Sequence, residues 1–324
     1  MDNKCTIVVV LRDRFSTTEK CLEALIQNTP GSYELLAVIG GAPEKIKKEW
    51  SARFGQKVRW HFEPKLLNPS ESRNIGLREA RTPLAVLMDN DVYVRPGWLE
   101  PLLRCQAETG AAMVVPIVLD EENEIHTAGN DLHVTYRDGK AYGCKELRYG
   151  TLRYFEGCDL KRETTGYGEL HCQLVVVETA LKLGVYDEKL REAGEVDSGL
   201  TWAKAGCSMW FEPKSVVLFK YPVKIDHAED IPSFLFKWDT RAIVEGYRHF
   251  EKKWKLDITE GGRWPEFLVF LNSKLGFFPR MFPNEFGMSL DRMYRALRGV
   301  LDSPSRLWRS LKIRRLGHSA WGDR

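Results

Sequence analysis

The sequence predicts an α/β fold: a mixed, mainly parallel sheet flanked by helices, followed by a helical C-terminal extension. Three observations carry this. Short apolar runs at residues 6–11, 35–39 and 84–88 have almost no polar interruption, the pattern of strands buried on both faces. A helical segment lies between the first two runs, and strand–helix–strand order makes a parallel pair with a right-handed crossover. From residue 231 onward the pattern turns helical and aromatic-rich.

After the first strand, Ser16-Thr17-Thr18-Glu19 reads as a capping box, the Ser oxygen accepting from a free helix N–H while the Glu reaches back. Leu22, Leu25 and Ile26 give the following helix an apolar face, and Pro30-Gly31 stops it. A second helix starts after Asn68, with Pro69 in its first position and Glu71 in its third. Residues 111–119 and 172–178 read as further strands, 196–205 as a helix closed by Gly206, and 215–221 as another strand. Residues 136–167, rich in Tyr, Gly and charge, read as a loop. There is no internal repeat and no low-complexity linker. A soft boundary near residue 230 divides the chain into residues 1–230 and 231–324.

At 324 residues the chain can hold one large domain or two modest ones. A net charge of +3 gives no global reason to expect a nucleic-acid partner. The charge is uneven: residues 290–324 hold nine Arg or Lys against three Asp, so that segment is +6 and the remainder −3. Seven cysteines without a Cys-x-x-Cys pair point to a reducing compartment rather than a disulfide framework. Cys5 and Cys172 fall in strand-like runs and read as buried small hydrophobes. Asp2, Lys4, Arg12, Asp13 and Arg14 interrupt the N-terminus as a signal peptide. No apolar run approaches the roughly 18 residues of a membrane span. The expectation is a cytoplasmic chain, at most peripheral at the inner face of a membrane.

The most informative stretch is Met88-Asp89-Asn90-Asp91. Its carboxylates stand one residue apart where a buried strand leaves the sheet, and ligands of open α/β sheets bind at such carboxyl ends. Acids this close raise each other's proton affinity unless a cation screens them, and a divalent metal carrying a phosphorylated ligand would do so. Alone, Asp-x-Asp is weak, since surface turns produce it often. Here it is preceded by Asn68-Pro69-Ser70-Glu71-Ser72-Arg73-Asn74-Ile75-Gly76-Leu77-Arg78-Glu79-Ala80 and followed by Val92-Tyr93-Val94-Arg95-Pro96-Gly97-Trp98-Leu99. The ordered block resembles the family-2 type of GT-A glycosyltransferases. Their pattern runs Gly-x-Ala-x-Ala-Arg-Asn-x-Gly, a spacer, Leu-Asp-x-Asp, then Pro-Gly-Trp-Leu.

The resemblance covers roughly residues 4–225. It implies a GT-A catalytic domain over residues 1–230, with a nucleotide-sugar-binding half at 1–120 and an acceptor half at 121–230. It implies that Asp91 binds a metal, Mn²⁺ or Mg²⁺, bridging the donor's diphosphate, and that Asp89 contacts ribose or the metal. Arg73 and Asn74 match the family's Arg-Asn pair, and an Arg suits a diphosphate through its planar fork. Arg12, Asp13 and Arg14 end the first strand on the ligand side, where only Arg14 matches closely. His227, in Ile225-Asp226-His227-Ala228-Glu229, follows the last core strand, where many GT-A enzymes place a third metal ligand. It lies further along than the usual spacing, and a lone His is more often structural or exposed. One imidazole would make Mn²⁺ acceptable beside Mg²⁺.

In Gly194-Glu195-Val196-Asp197-Ser198-Gly199-Leu200, counting back from Gly206 puts Glu195 on the family's catalytic base and Asp197 on the acid after it. An acid at a helix N-terminus is kept ionised by the helix dipole. It can take the proton of an acceptor hydroxyl as that oxygen attacks the anomeric carbon. A mere cap at Glu195, with Asp197 as base or acceptor contact, stays open. Gly194 and Thr201 depart from the family's Glu and Arg. Ile39-Gly40-Gly41-Ala42 stands where the family has the Asp that recognises the base, so base recognition must come from elsewhere, with Asp13 and Glu63 as candidates.

The resemblance thus implies an inverting, metal-dependent glycosyltransferase of hexosyltransferase type. It would move sugar from a nucleoside-diphosphate donor to a hydroxyl of a glycan or lipid-linked acceptor, as in cell-surface glycan synthesis. One rival, a sugar nucleotidyltransferase, should show a Gly-rich loop, which Leu11-Arg12-Asp13-Arg14-Phe15 is not. The other, a non-catalytic nucleotide-sugar-binding module, would be free to lose the acid at 195. The absence of Gly-x-Gly-x-x-Gly after the first strand, and of Gly-x-x-x-x-Gly-Lys-Ser/Thr, argues against nicotinamide enzymes and P-loop ATPases. In the tail, Leu290, Met293, Tyr294, Leu297, Val300 and Leu301 form an apolar stripe that can pack on the catalytic domain. Beyond Ser303-Pro304, Leu307, Trp308 and Leu311 alternate with Arg306, Arg309, Lys312, Arg314 and Arg315, a composition that suits an anionic membrane surface.

Overall fold

The computed structural model describes residues 4–137, 140–147, 160–220, 225 and 227–255. The amphipathic and basic tail segments expected at 288–316 lie outside the described residues. Among the described residues no helix is long and apolar enough to cross a membrane.

Strands β1 (Thr6–Val10), β2 (Glu34–Gly40), β3 (Arg59–Glu63) and β4 (Leu84–Asp89) lie in the order β4-β1-β2-β3, all parallel. Helices α1 (Thr18–Asn28), α2 (Glu44–Phe54) and α3 (Pro69–Glu79) connect them. The chain continues through β5 (Val92–Val94), α4 (Leu99–Thr109), β6 (Met113–Leu119) and β7 (Ile125–Thr127). Strand β11 (Cys172–Val176) slots between β4 and β6, antiparallel to both. After α5 (Val177–Leu183) and α6 (Gly194–Lys204), β12 (Met209–Phe219) runs parallel to β6. With β10 (Glu163–Thr164) at one edge, the order is β10-β12-β6-β11-β4-β1-β2-β3. This is the mixed, mainly parallel sheet with flanking helices that the sequence predicts.

Alternation along the buried strands explains why both faces carry helices. Ile7, Val9, Ala37, Ile39, Val86 and Met88 point to one side and pack with Leu22 and Leu25 of α1, Trp50 and Phe54 of α2 and Leu102 of α4. Val8, Val10, Leu36, Val38, Ala85 and Leu87 point to the other and pack with Leu77 of α3, Ala180 of α5 and Trp202 of α6. Each buried Val, Leu, Ile or Met among them contributes about 1.5–3 kcal/mol, so these layers hold the sheet. Glycines appear where backbones must approach closely. A Cβ at Gly40 would meet Leu67 N at 2.6 Å and Lys65 O at 2.7 Å, and Gly41 has φ +68. Gly40 and Gly41 therefore serve the close packing of the β3–α3 loop, while Ile39, in place of the family's Asp, is fully buried in the core.

Local expectations fared unevenly. The start of α3 is as read: Asn68 and Glu71 form a capping box, with Pro69 in the first turn. The box expected at the start of α1 does not form. Thr17 is the N-cap and makes no side-chain cap bond; Asp230 takes the Ser16 hydroxyl at 2.5 Å and its amide at 3.1 Å, and Glu19 accepts from Trp50 and Arg53 instead of reaching back. Part of the loop expected at 136–167 is instead strand, since β8 (Asn130–Arg137) and β9 (Lys140–Leu147) pair as a separate antiparallel ribbon. Its register puts Arg137 opposite Lys140, and the intervening Asp138-Gly139 is the dipeptide that favours tight hairpins.

Helices α7 (Asp230–Lys237) and α8 (Thr240–Trp254) follow the sheet. They reach back to two loops. Asp230 accepts from Phe15 N at 2.7 Å as well as from Ser16, and Ser233 Oγ donates to Asp13 O at 2.8 Å. On the other side, Lys237 Nζ donates to Arg191 O, and Asp187 accepts from His249 and Lys253.

Candidate active site

The register pairs Val10 with Asp89, so β1 and β4 release the chain side by side. Arg12-Asp13-Arg14 therefore meets Asp89-Asn90-Asp91 at the carboxyl end of the sheet, the expected ligand side. The middle residue fastens the two loops. Buried Asn90 accepts from Arg12 N at 3.0 Å and donates to Arg14 O at 2.6 Å and Thr18 Oγ1 at 2.8 Å.

Both acids are buried, and their surroundings divide them. Asp89 accepts from Arg73 Nη2, which also donates to Leu170 O at 2.8 Å, and His171 Nδ1 lies 3.3 Å from its other oxygen. Burial pushes the Asp89 carboxyl up, but Arg73, then His171 and Arg12, outweigh it and hold the pKa at about 2. Asp91 accepts from Arg12 Nη1 at 2.9 Å through Oδ2, while its buried Oδ1 has no hydrogen-bond partner among the described residues. Burial raises its carboxyl, Arg12 opposes, and the Asp89 charge adds to the rise.

His171 arrives from β11. Cys172 pairs with Met88, and Asp89 N donates to His171 O at 3.1 Å, which sets the imidazole beside the acids. Its ring stacks on Phe219 at 4.1 Å, with His126 5.2 Å from each, so an aromatic wall borders the cluster. Ligand atoms of Asp89, Asp91 and His171 all lie within 4.8 Å of one another. Two carboxylate oxygens and an imidazole, with one carboxylate oxygen left without a partner among the described residues, are a donor set that fits a divalent metal.

His227, the imidazole anticipated from the sequence, is exposed and is not one of the three residues of this cluster. Nothing in the sequence marked His171 or Asn90. A His before an apolar run is common, and only the antiparallel register of β11 against β4 brings it to Asp89.

The remaining candidates divide between neighbouring contacts. Asp13 bonds Arg14 Nε at 3.2 Å and Trp238 Nε1 at 3.2 Å, and Arg14 lies over the Phe234 ring, so both engage α7. Asn74 donates to Tyr186 O at 2.8 Å and Glu188 Oε1 at 2.9 Å, toward the loop after α5. Glu63 lines a cleft of ≈ 470 Å³ at the sheet edge with His61, Lys65 and Glu71.

Glu195 sits, partly exposed, in the first turn of α6, which begins after Ala193 at φ 63. A Cβ on Gly194 would lie 3.1 Å from Leu170 Cδ1, so this helix start abuts the segment that carries His171. Asp197 faces the other way. It is fully buried and accepts from Trp254 Nε1 at 2.7 Å and Lys253 Nζ at 2.8 Å. Burial pushes its carboxyl up against those two partners. Asp197 thus joins α6 to α8.

Residues 6–164 match the sequence model of the family described as Glycosyl transferase family 2. The chain is 25% identical over 281 residues to the Pre-mycofactocin glycosyltransferases of two Mycobacterium tuberculosis strains, CDC 1551 / Oshkosh and ATCC 25618 / H37Rv, covering 84% of this chain and 53% of theirs. It therefore spans about half the length of the curated relatives it matches. The crystal structure of GalNAc-T7 with UDP, GalNAc and Mn2+ resembles it in fold, with a TM-score of 0.53 and 15% identity over 74% of this chain and 48% of that one. Residues 6–164 thus carry the sequence pattern of glycosyl transferase family 2, and the chain has the GT-A fold.

Proposed function

We propose that this chain is an inverting, metal-dependent glycosyltransferase that moves a sugar from a nucleoside-diphosphate donor to an acceptor hydroxyl. The observation that carries this is the buried Asp89–Asp91–His171 cluster at the end of β4, with Asp91 Oδ1 left without a partner among the described residues. Asp91, Asp89 and His171 would hold Mn²⁺ or Mg²⁺. When bound, that ion supplies Lewis-acid neutralisation of the leaving nucleoside diphosphate. The names of the relatives, and the Mn2+ and UDP bound by the fold neighbour, agree with this reading.

Arg73 keeps Asp89 ionised, and Arg12, beside Asp91, would meet a diphosphate with its planar fork. Glu195, in the first turn of α6, takes the proton of the acceptor hydroxyl as its oxygen attacks the anomeric carbon. Asp197 is committed to Lys253 and Trp254 and anchors the helix on which Glu195 stands. A panel of nucleoside-diphosphate sugars with Mn²⁺ or Mg²⁺ tests the proposal through release of nucleoside diphosphate. Glu195→Gln is expected to lose at least about a hundredfold in rate while donor affinity survives. An active Glu195→Gln beside a folded but inactive Asp197→Asn would move the base to Asp197. No release from any donor would leave a binding module.

A further inference from the structure

We infer that Arg12 occupies, on Asp91, the place of the incoming divalent cation, and must leave it when a metal and diphosphate bind together. The inference rests on the metal-dependent reading above and concerns how that site is filled. Its basis is the unequal standing of two arginines. Arg73 is the fixed one: its side chain is 1% exposed, and one nitrogen serves both Asp89 and Leu170 O. Arg12 is the movable one: its side chain is 19% exposed and follows the end of β1. Its Nη1 is 2.9 Å from Asp91 Oδ2, whereas its Nε is 4.0 Å from Asp89 Oδ2. Asp89 already has Arg73 and His171, and of the two acids the Arg12 guanidinium lies nearer Asp91.

Geometry makes metal and guanidinium alternatives. The oxygens and the imidazole nitrogen that could bind an ion lie within 4.8 Å of one another. An ion among them would sit against a positive group already on one of those carboxylates, and like charges at that range repel. The backbone of Arg12 is pinned by Asn90, so only its side chain needs to swing. Phe219 lies under the guanidinium at 5.0 Å and offers an aromatic surface along which it can move. A diphosphate offers the planar, bidentate partner that an arginine prefers. Arg12 therefore keeps the acid pair screened before the donor arrives and then passes to the donor. Metal and nucleotide binding become coupled, and linkage requires the coupling to be reciprocal.

Titrating the whole chain with Mn²⁺ alone, and reading free ion by electron paramagnetic resonance, tests this without turnover. Arg12→Met is expected to bind Mn²⁺ on the order of tenfold tighter than wild type, within the usual range of such couplings. Arg12→Lys, which keeps a charge without the fork, should fall between them, and Asp91→Asn should abolish binding. In the wild type, the Arg12 Nε–H resonance, assigned by its loss in Arg12→Lys, should move on Mg²⁺ addition. Mn²⁺ bound equally or more weakly by folded Arg12→Met, or an unmoved resonance on a metal-loaded protein, overturns the inference and leaves the metal site standing. No Mn²⁺ binding by wild type, Arg12→Met or Arg12→Lys overturns the metal reading and the inference with it.

Discussion

Gly76, the last residue of the Arg73-Asn74-Ile75-Gly76 motif, is where α3 presses on β1, and Gly76→Ala measures how tightly. An added Cβ would overlap Val8 Cγ1 and stand 3.2 Å from Val8 Cβ and Cγ2. Alanine in a helix interior is better than glycine by about 1 kcal/mol. Against that, an extra methyl in a filled core costs about 1–3 kcal/mol. Val8 is fully buried in the middle of the sheet and has no room to retreat, so the upper half of that range applies. The expected net effect is a loss of about 1–2 kcal/mol, read as a lower urea midpoint with an unchanged slope. Because Arg73 lies one turn earlier on α3, the same shift should loosen its bond to Asp89 and weaken donor binding. Val8→Ala alone should cost about 2 kcal/mol. The double variant should be no less stable than Val8→Ala, since the methyl added on α3 would fill the vacated space, so the two changes should not add. A Gly76→Ala protein as stable as wild type, or strict additivity in the pair, refutes this packing.

Three further outcomes are expected. Lys253→Met strips a partner from buried Asp197 and should cost about 1–3 kcal/mol in thermal unfolding, less than a fully enclosed pair because Lys253 is partly exposed; an unchanged melting temperature would show that α8 does not depend on this contact. Asp230→Ala orphans Phe15 N and the amide and hydroxyl of Ser16, and should cost about 2–4 kcal/mol and weaken donor affinity; full stability would mean that α7 does not hold the loop after β1. Asp89, lowered from 3.8 to about 2, contributes stability that is present above its unfolded value and lost as pH falls through the folded one. The stability gap between wild type and Asp89→Asn, followed by urea unfolding, should therefore narrow by about 2 kcal/mol between about pH 4 and pH 2; a gap independent of pH would contradict that charge assignment.

What could be read in advance divides by the range of the interactions involved. The runs that became β1, β2 and β4 were legible because burial on both faces leaves no polar position. Asn68-Pro69-x-Glu71 was legible because a capping box is local. Asp89 and Asp91 were legible as acids at a strand end. Contacts made across the chain were not. Ser16-Thr17-Thr18-Glu19 has the local form of a box, yet a carboxylate over two hundred residues away claims Ser16. His171 reaches Asp89 only because β11 runs antiparallel between β4 and β6. Asp197 stood as the alternative base to Glu195, and only α8, with Trp254 and Lys253, shows it to be bound up in packing. The ribbon of β8 and β9 did have a local sign in Asp138-Gly139, outweighed by the Tyr, Gly and charge around it.

Donor turnover with and without chelator bears most directly on the role of Asp89, Asp91 and His171. Wild-type chain stripped with EDTA is incubated with the donor that it hydrolyses or transfers, and nucleoside diphosphate release is followed as Mn²⁺ or Mg²⁺ is returned, with Asp91→Asn in parallel. Loss of release in EDTA, recovery on adding the ion, and no recovery in a folded Asp91→Asn are the predicted results. Full turnover in EDTA, or full ion-dependent recovery in Asp91→Asn, would contradict a metal-dependent transferase built on this cluster.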